Sequence, residues 1–263
     1  MFRKALSKQY IGMNKEFRFR GEEPGRLENL SDGVFALAIT LLLISTNAPT
    51  SFEEIKRFVW ELLPFCACII LIILIWHEHF VFFYRYGLRN TSVIVLNTIF
   101  LIIVLFYVYP LKFLCRFLIL LVLGRTFGEV AILEEVKSML DGQNTGQFMI
   151  IYGIGAASIF FILGMMYRYA LKNKHALDLS RIEEFDTRTS MGANFLMAFI
   201  PCLSVAAALV LMDHPRVGLY SGFVYFLYTP IMFVYHARKV KRRTRVLTET
   251  MDVNSKISEE ELP

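Results

Sequence analysis

The residues that could carry chemistry in this sequence are few, and most of them lie inside apolar stretches. His77 and His79 flank Glu78, but histidines two positions apart on a helix diverge by about 200° and cannot share a metal ion as an i, i+4 pair can. Neither a glycine-rich phosphate loop nor a nucleophile motif is present. The apolar surroundings of all four cysteines favour buried thiols over disulfides or a metal cluster: Cys66, Cys68, Cys115 and Cys202. We therefore predict no catalytic residue, no metal site and no enzyme activity.

A second group of polar residues lies in the stretch from Arg26 to Thr46, which contains the first apolar run. Residues 33–44 are apolar apart from Thr40, but as a helix they rise only about 18 Å, against about 30 Å for the bilayer core. A spanning helix must therefore extend back to Leu27, which brings Glu28, Asn29, Ser31 and Asp32 to membrane depth. Such groups are costly unless they are paired, face a bundle interior or meet water. We predict that this helix faces protein or a pore.

The composition requires a membrane to surround these residues. The chain has 263 residues, of which 56% are hydrophobic and 19% charged, which is too apolar for a soluble domain. Its net charge is +5, but the basic residues flank apolar runs, which indicates membrane topology rather than nucleic-acid binding. No signal peptide pattern precedes the first helix.

Five further apolar runs are long enough to cross a bilayer: Phe58–Tyr84, Val93–Tyr109, Phe148–Leu171, Met191–Met212 and Val217–His236. The third of the six runs is expected to stop at Pro110. The polar segment Gly124–Gln147 is predicted on the far side, with a short interfacial helix, and Lys172–Thr189 is predicted as a cytoplasmic loop. These runs predict an all-α, polytopic membrane protein.

The charge asymmetry places both termini in the cytoplasm. Residues 1–25 are predicted to be an N-terminal tail, residues 26–237 a domain of six transmembrane helices, and residues 238–263 a C-terminal tail that is first basic and then acidic. The basic cluster that begins at Arg238 is placed to contact anionic lipid headgroups. The last dozen residues, from Asp252, are expected to be disordered.

The first helix carries an apolar stripe that suggests a function. Leu37, Leu41 and Ile44 are spaced i, i+4, i+7, which puts them within about 60° of one another, with Thr40 beside them. If several copies faced a common axis, these side chains would form constrictions that gate by dewetting. Packing is the more common reason for such a stripe, and a secondary transporter or a proton or cation carrier remains the alternative, although no internal repeat is evident.

The same helix resembles a known family. Arg26-x-x-x-Leu30-Ser31-Asp32, followed by G-V-F-A-L-A-I-T-L-L, resembles the R-x-x-x-F-S-D signature of the lysosomal potassium channel family called transmembrane protein 175 and its prokaryotic relatives. Trp76-x-x-His79, with Phe83 further on, resembles that family's W-x-x-H-H-x-x-F motif. Leu30 and Phe80 depart from the two motifs, and Asn97 and Pro110 also match residues that are typical of the family's third helix.

The resemblance implies a potassium channel of a prokaryotic cell membrane, assembled as a homotetramer whose first helices line the pore. It implies that Leu37 is the main constriction, that Leu41 and Ile44 form further layers, and that the Thr40 hydroxyl contacts passing ions. Potassium would be the permeant ion, with no cofactor and no nucleic-acid partner. A supporting network would fix the pore helix, with Arg26, Ser31, Asp32, Trp76, His79 and Asn97 as its members.

Overall fold

The computed structural model describes residues 17–44, 50–139, 144–214 and 216–260, and no strand occurs among them. Six helical segments are long and apolar enough to cross a membrane. The predicted all-α, polytopic fold with six transmembrane helices is therefore confirmed, while the cytoplasmic placement of the termini stays a prediction. The helices are α1 (Arg26–Ile44), α2 (Phe52–Tyr86), α3 (Thr91–Phe127), α4 (Val130–Met139), α5 (Thr145–Lys172), α6 (Arg181–Val210), α7 (Val217–Phe223) and α8 (Tyr228–Glu260).

The sixth span is interrupted, whereas the sequence predicts one continuous run. A 3₁₀ turn at Val224–Leu227 separates α7 from α8, and the apolar character continues through it, so the three pieces form one candidate span, Val217–Thr248. Helix α8 then passes the predicted tail boundary at residue 238 without a break and reaches Glu260. The expectation of disorder from Asp252 onward is therefore wrong for the backbone of residues 252–260.

Pro110 does not end the third span, as the sequence analysis expects. Helix α3 continues to Phe127 and ends at Gly128, which adopts a left-handed conformation with φ 68°. A proline removes one backbone donor from a helix, but transmembrane helices tolerate this where neighbouring helices or local adjustments satisfy the freed carbonyl group. The apolar residues on both sides of Pro110 remain in one helix, and the short helix expected in the following polar segment is α4.

The predicted loop Lys172–Thr189 is shorter than expected. Helix α6 begins at Arg181, because the Ser180 hydroxyl accepts a hydrogen bond from the Glu183 backbone and the Glu183 carboxylate accepts one from the Ser180 backbone. This reciprocal capping satisfies two backbone donors at the start of the helix. Only residues 173–180 connect α5 to α6. These two helices pack against each other more extensively than any other helix pair of the described chain.

The main core lies where α1, α2, α3 and α5 meet. Its large side chains are almost entirely buried, and they include Phe35, Phe82, Phe100, Leu163 and Tyr167. Helix α2 turns into α3 within four residues, through a left-handed Gly87 that closes α2 and an Asn90 side chain that caps α3. This tight connection brings α2 and α3 together as a paired support against which α1 packs.

Candidate functional site

Helix α1 has one buried face and one exposed face. Its buried residues are Glu28, Ser31, Phe35, Ala38 and Leu42. On the opposite side, a stripe of residues within about 80° of one another is open or nearly open in the single chain. This exposed stripe consists of Arg26, Leu30, Gly33, Leu37, Thr40 and Ile44.

A directional chain of hydrogen bonds attaches the buried face of α1 to α2 and α3. Asn97 donates from Nδ2 to the Ser31 hydroxyl over 2.9 Å, and Ser31 in turn donates to the Leu27 carbonyl over 2.9 Å. The remaining amide oxygen of Asn97 lies 2.7 Å from Nε2 of His79. Because an amide oxygen only accepts, Nε2 of His79 must carry the proton. Every member of this chain therefore has a partner at a depth where an unpaired polar group would be costly.

Three phenylalanines enclose the His79 ring and hold it in that orientation. The ring stacks on Phe100 with centroids 5.2 Å apart and an interplanar angle of 9°. Phe83 lies at 4.8 Å and Phe35 at 5.7 Å. His79 is only 2% exposed, so the aromatic cage separates it from solvent and from the exposed stripe.

A second contact joins α1 to α2 at the level of Asp32. Trp76 donates from its indole nitrogen to the Asp32 carboxylate over 2.8 Å. The indole stacks on Phe80 with centroids 5.5 Å apart, and Phe80 stacks on Tyr84 at the same spacing of 5.5 Å. Phe80 replaces a histidine of the resembled motif, and here it supports the indole that holds Asp32.

Each end of α1 is also attached to its neighbours. At the start, Arg89 donates to the Glu28 carboxylate over 3.1 Å, and the other Glu28 oxygen accepts from the Gly25 backbone over 3.0 Å. At the far end, Lys112 donates to the Leu42 carbonyl over 3.0 Å. An acid near a helix N-terminus and a cation near its C-terminus both complement the helix dipole. Helix α1 is thus held along its whole length from one side.

The structure distributes the predicted site residues over two faces of α1 and the helices behind it. Leu37 and Ile44 are 49% and 71% exposed, Thr40 is exposed with its hydroxyl bonded to the Ala36 carbonyl, and Leu41 is half-buried at the edge of the stripe. Arg26, predicted to join the supporting network, is instead exposed and makes no hydrogen bond with the residues that the structure describes.

Sequence reasoning missed Glu28, Arg89 and Lys112. Glu28 is an acid at membrane depth, and Arg89 lies in a basic link without a neighbouring acid. Because each residue lacks a nearby partner of opposite charge, the sequence contains a signal for their pairing. Lys112 lies within an apolar run, where a lone cation usually has a specific partner. Within the described ranges, no group of three histidine, cysteine or acidic side chains is arranged to hold a metal ion.

Three comparisons with known proteins agree on the family that this chain resembles. The family model for the endosomal/lysosomal potassium channel TMEM175 matches residues 26–107, which include α1, α2 and the attachment residue Asn97. A potassium channel of Marivirga tractuosa is 43% identical over 240 residues, 91% of this chain and 97% of that protein.

The comparison with solved structures adds agreement in the fold. The crystal structure of a variant of the potassium channel MtTMEM175, in complex with a Nanobody-MBP fusion protein, has a TM-score of 0.77 and 43% identity to this chain. The match covers 88% of this chain and 100% of that one. A homolog, from Chamaesiphon minutus, of the lysosomal potassium-selective channel TMEM175 has a TM-score of 0.39 at 22% identity, which adds nothing further.

Proposed function

The chain belongs to the endosomal/lysosomal potassium channel TMEM175 family, and from that premise we propose that it is a potassium-permeable channel of the cell membrane. Four copies assemble, as the family resemblance implies, with the exposed stripe of each α1 facing a central pore. Potassium is the permeant ion and no cofactor takes part. Potassium channels catalyse no covalent chemistry, so the protein is not an enzyme.

The observation that carries this proposal is the exposure pattern of α1. A membrane helix whose exposed side includes Arg26 and Asn29 cannot face lipid along its whole length, because such groups are costly in hydrocarbon. Water or further copies of the chain must therefore meet this side of the helix. A pore bounded by several copies of α1 supplies both.

The proposed pore changes character along its length. Its first part is polar, since Arg26 and Asn29 are exposed there, and such groups need water or a polar partner. Further along, Leu37 and Ile44 project from the stripe, and rings of branched apolar side chains form constrictions that exclude water. Leu37 is the first and main constriction of this neck, followed by Leu41 and Ile44. Because a hydrophobic neck offers few groups to replace an ion's hydration shell, we expect modest selectivity for potassium over sodium.

The direct test is planar-bilayer recording of the purified protein under opposing gradients of potassium and sodium. We expect discrete single-channel steps and a reversal potential displaced toward the potassium equilibrium potential. A secondary transporter or proton or cation carrier would instead give saturable uptake into vesicles and no discrete steps. That result, with a folded and assembled protein, would reject the pore in favour of the carrier.

Thr40 is expected to contribute to ion selectivity. Its hydroxyl donates to the Ala36 carbonyl over 2.9 Å, which leaves the oxygen lone pairs directed away from the helix as acceptors for a cation. Thr40→Val keeps the shape of the side chain but removes this oxygen. We expect its reversal potential under the same gradients to move toward zero, which corresponds to a lower permeability ratio of potassium to sodium. Thr98→Val, at an exposed threonine of α3, is the matched control and should leave the reversal potential unchanged.

A further inference from the structure

A groove lies between α6 and α8, away from the α1 helix and its supporting residues. Its volume is about 630 Å³. One part of its lining is apolar and the other part is basic, and the two parts succeed one another along α8. The apolar part comprises Leu196, Leu227, Pro230, Ile231 and Val234, the basic part comprises Arg238, Lys239 and Arg242, and Tyr235 lies between them.

The change from apolar to basic lining coincides with the expected edge of the bilayer. From Val217 to Ala237 the sixth span has no lysine, arginine or acid, and these residues rise about 31 Å as a helix, close to the thickness of the hydrocarbon core. Arg238 is the first charged residue beyond this stretch. The basic part of the groove therefore lies at headgroup depth and the apolar part at the depth of the acyl chains.

The acids of α6 that lie close to this end of α8 already have partners, so they do not neutralise the groove. Arg243 binds the Asp186 carboxylate through two guanidinium nitrogens, at 2.9 and 3.2 Å. Glu184 pairs with Lys174 at 3.1 Å and with Arg188.

The cations of the groove itself are left without acids. Lys239 lies over the ring of Tyr235 at 5.3 Å and that of Phe185 at 5.6 Å, so aromatic faces and not carboxylates hold its ammonium group. Arg238 and Arg242 make no ion pair with any residue whose side chain the structure describes. They are four residues apart and hence on one side of α8. The groove thus presents three cations to a single ligand.

We propose that this groove binds one anionic phospholipid per subunit. The phosphate is held by Arg238, Lys239 and Arg242, and an acyl chain lies along Leu196, Leu227 and Ile231. Guanidinium groups bind phosphate through paired hydrogen bonds, and basic clusters next to a membrane span attract anionic lipid. The site is independent of the proposed pore, since none of its residues belongs to α1, α2 or α3.

The test is native mass spectrometry of the intact, detergent-purified protein, titrated with phosphatidylglycerol or with phosphatidylcholine of the same acyl chains. The wild-type protein should retain one phosphatidylglycerol per subunit and bind it about tenfold more tightly than phosphatidylcholine. The double variant Arg238→Gln/Arg242→Gln should lose this preference and should still elute like wild type in size-exclusion chromatography. Lys241→Gln/Arg245→Gln is the matched control, since it removes the same charge from the same helix outside the groove, and it should keep the preference.

Four results would overturn the proposal. An unchanged preference in Arg238→Gln/Arg242→Gln would remove the groove from lipid binding. An equal loss in the control variant would assign the preference to the overall charge of α8. Displacement of the lipid by an equimolar amount of soluble glycerol 3-phosphate would identify a site for a free phosphate group in place of a lipid. Absence of bound lipid from the assembled protein would mean that a second copy of the chain covers the groove.

Discussion

Replacing Leu37 with alanine is expected to raise the basal potassium current severalfold. In the proposed pore, each copy of this leucine narrows the apolar neck, and its truncation both widens the neck and lowers the free energy of filling it with water. A decrease of about 1.4 kcal/mol in that free energy would multiply the current about tenfold. Leu37→Asn, which keeps the branched shape but is polar, should act in the same direction mainly through wetting. Planar-bilayer recording of single channels measures both effects.

A leucine elsewhere on the same helix provides the control. Leu43 is 50% exposed, similar to Leu37, but it points about 120° away from Leu37 and lies outside the stripe. Leu43→Ala should therefore leave the basal current near the wild-type value. Equal currents in wild type and Leu37→Ala would remove Leu37 from the constriction, and an equal increase in both alanine variants would mean that truncation loosens α1 and does not open a neck.

Replacing Asn97 with leucine is expected to give the largest loss of stability. Asn97 is fully buried, and it accepts from His79 and donates to Ser31. Leucine has the same branched shape and number of heavy atoms but leaves both neighbours without their partner, at a cost of about 1–3 kcal/mol for a buried polar group. Hydrogen bonds between membrane helices average nearer 0.6 kcal/mol, so we expect the lower half of that range for each. The apparent melting temperature of the assembled protein, followed by size-exclusion chromatography after heating, should fall.

The matched change one residue away is Thr98→Val. Thr98 is exposed and its hydroxyl bonds only to its own helix, at the Ile94 carbonyl. This variant should melt like wild type, so a loss confined to Asn97→Leu assigns the effect to the chain of hydrogen bonds. If Asn97→Leu melted at the wild-type temperature and remained assembled, Asn97 would be a packing residue without a role in attaching α1.

Much of the fold could be predicted because apolar runs of bilayer length have few alternatives. The same reasoning placed Leu37, Thr40 and Ile44 on one side of α1, since helical periodicity alone determines which residues share a face. The start of α6 was also readable: Ser180 and Glu183 form the S-x-x-E capping pattern. The prediction of a loop over the whole of residues 172–189 does not take this capping pattern into account.

The contacts of α1 with other helices could not be predicted in the same way. Glu28 and Arg89 are 61 residues apart, and nothing in local periodicity pairs them. The family resemblance implies one network for Arg26 and Asp32, but the two lie on different sides of the helix, and Trp76 reaches only Asp32. The continuation of α3 past Pro110 likewise depends on neighbouring helices, which a hydropathy pattern does not describe.

Because α1 is attached to its neighbours from one side, substitutions on its two sides should have different effects. Glu28, Ser31 and Asp32 hold the helix in place from one side, so a substitution there changes folding, whereas Leu37 and Ile44 project from the other side and touch none of the attachment bonds. In the proposed pore, substitutions in the second set would therefore change neck width and ion preference at little cost to the first. A saturation scan of α1 scored separately for surface abundance and for conductance should resolve into two interleaved sets of positions, offset by half a helical turn.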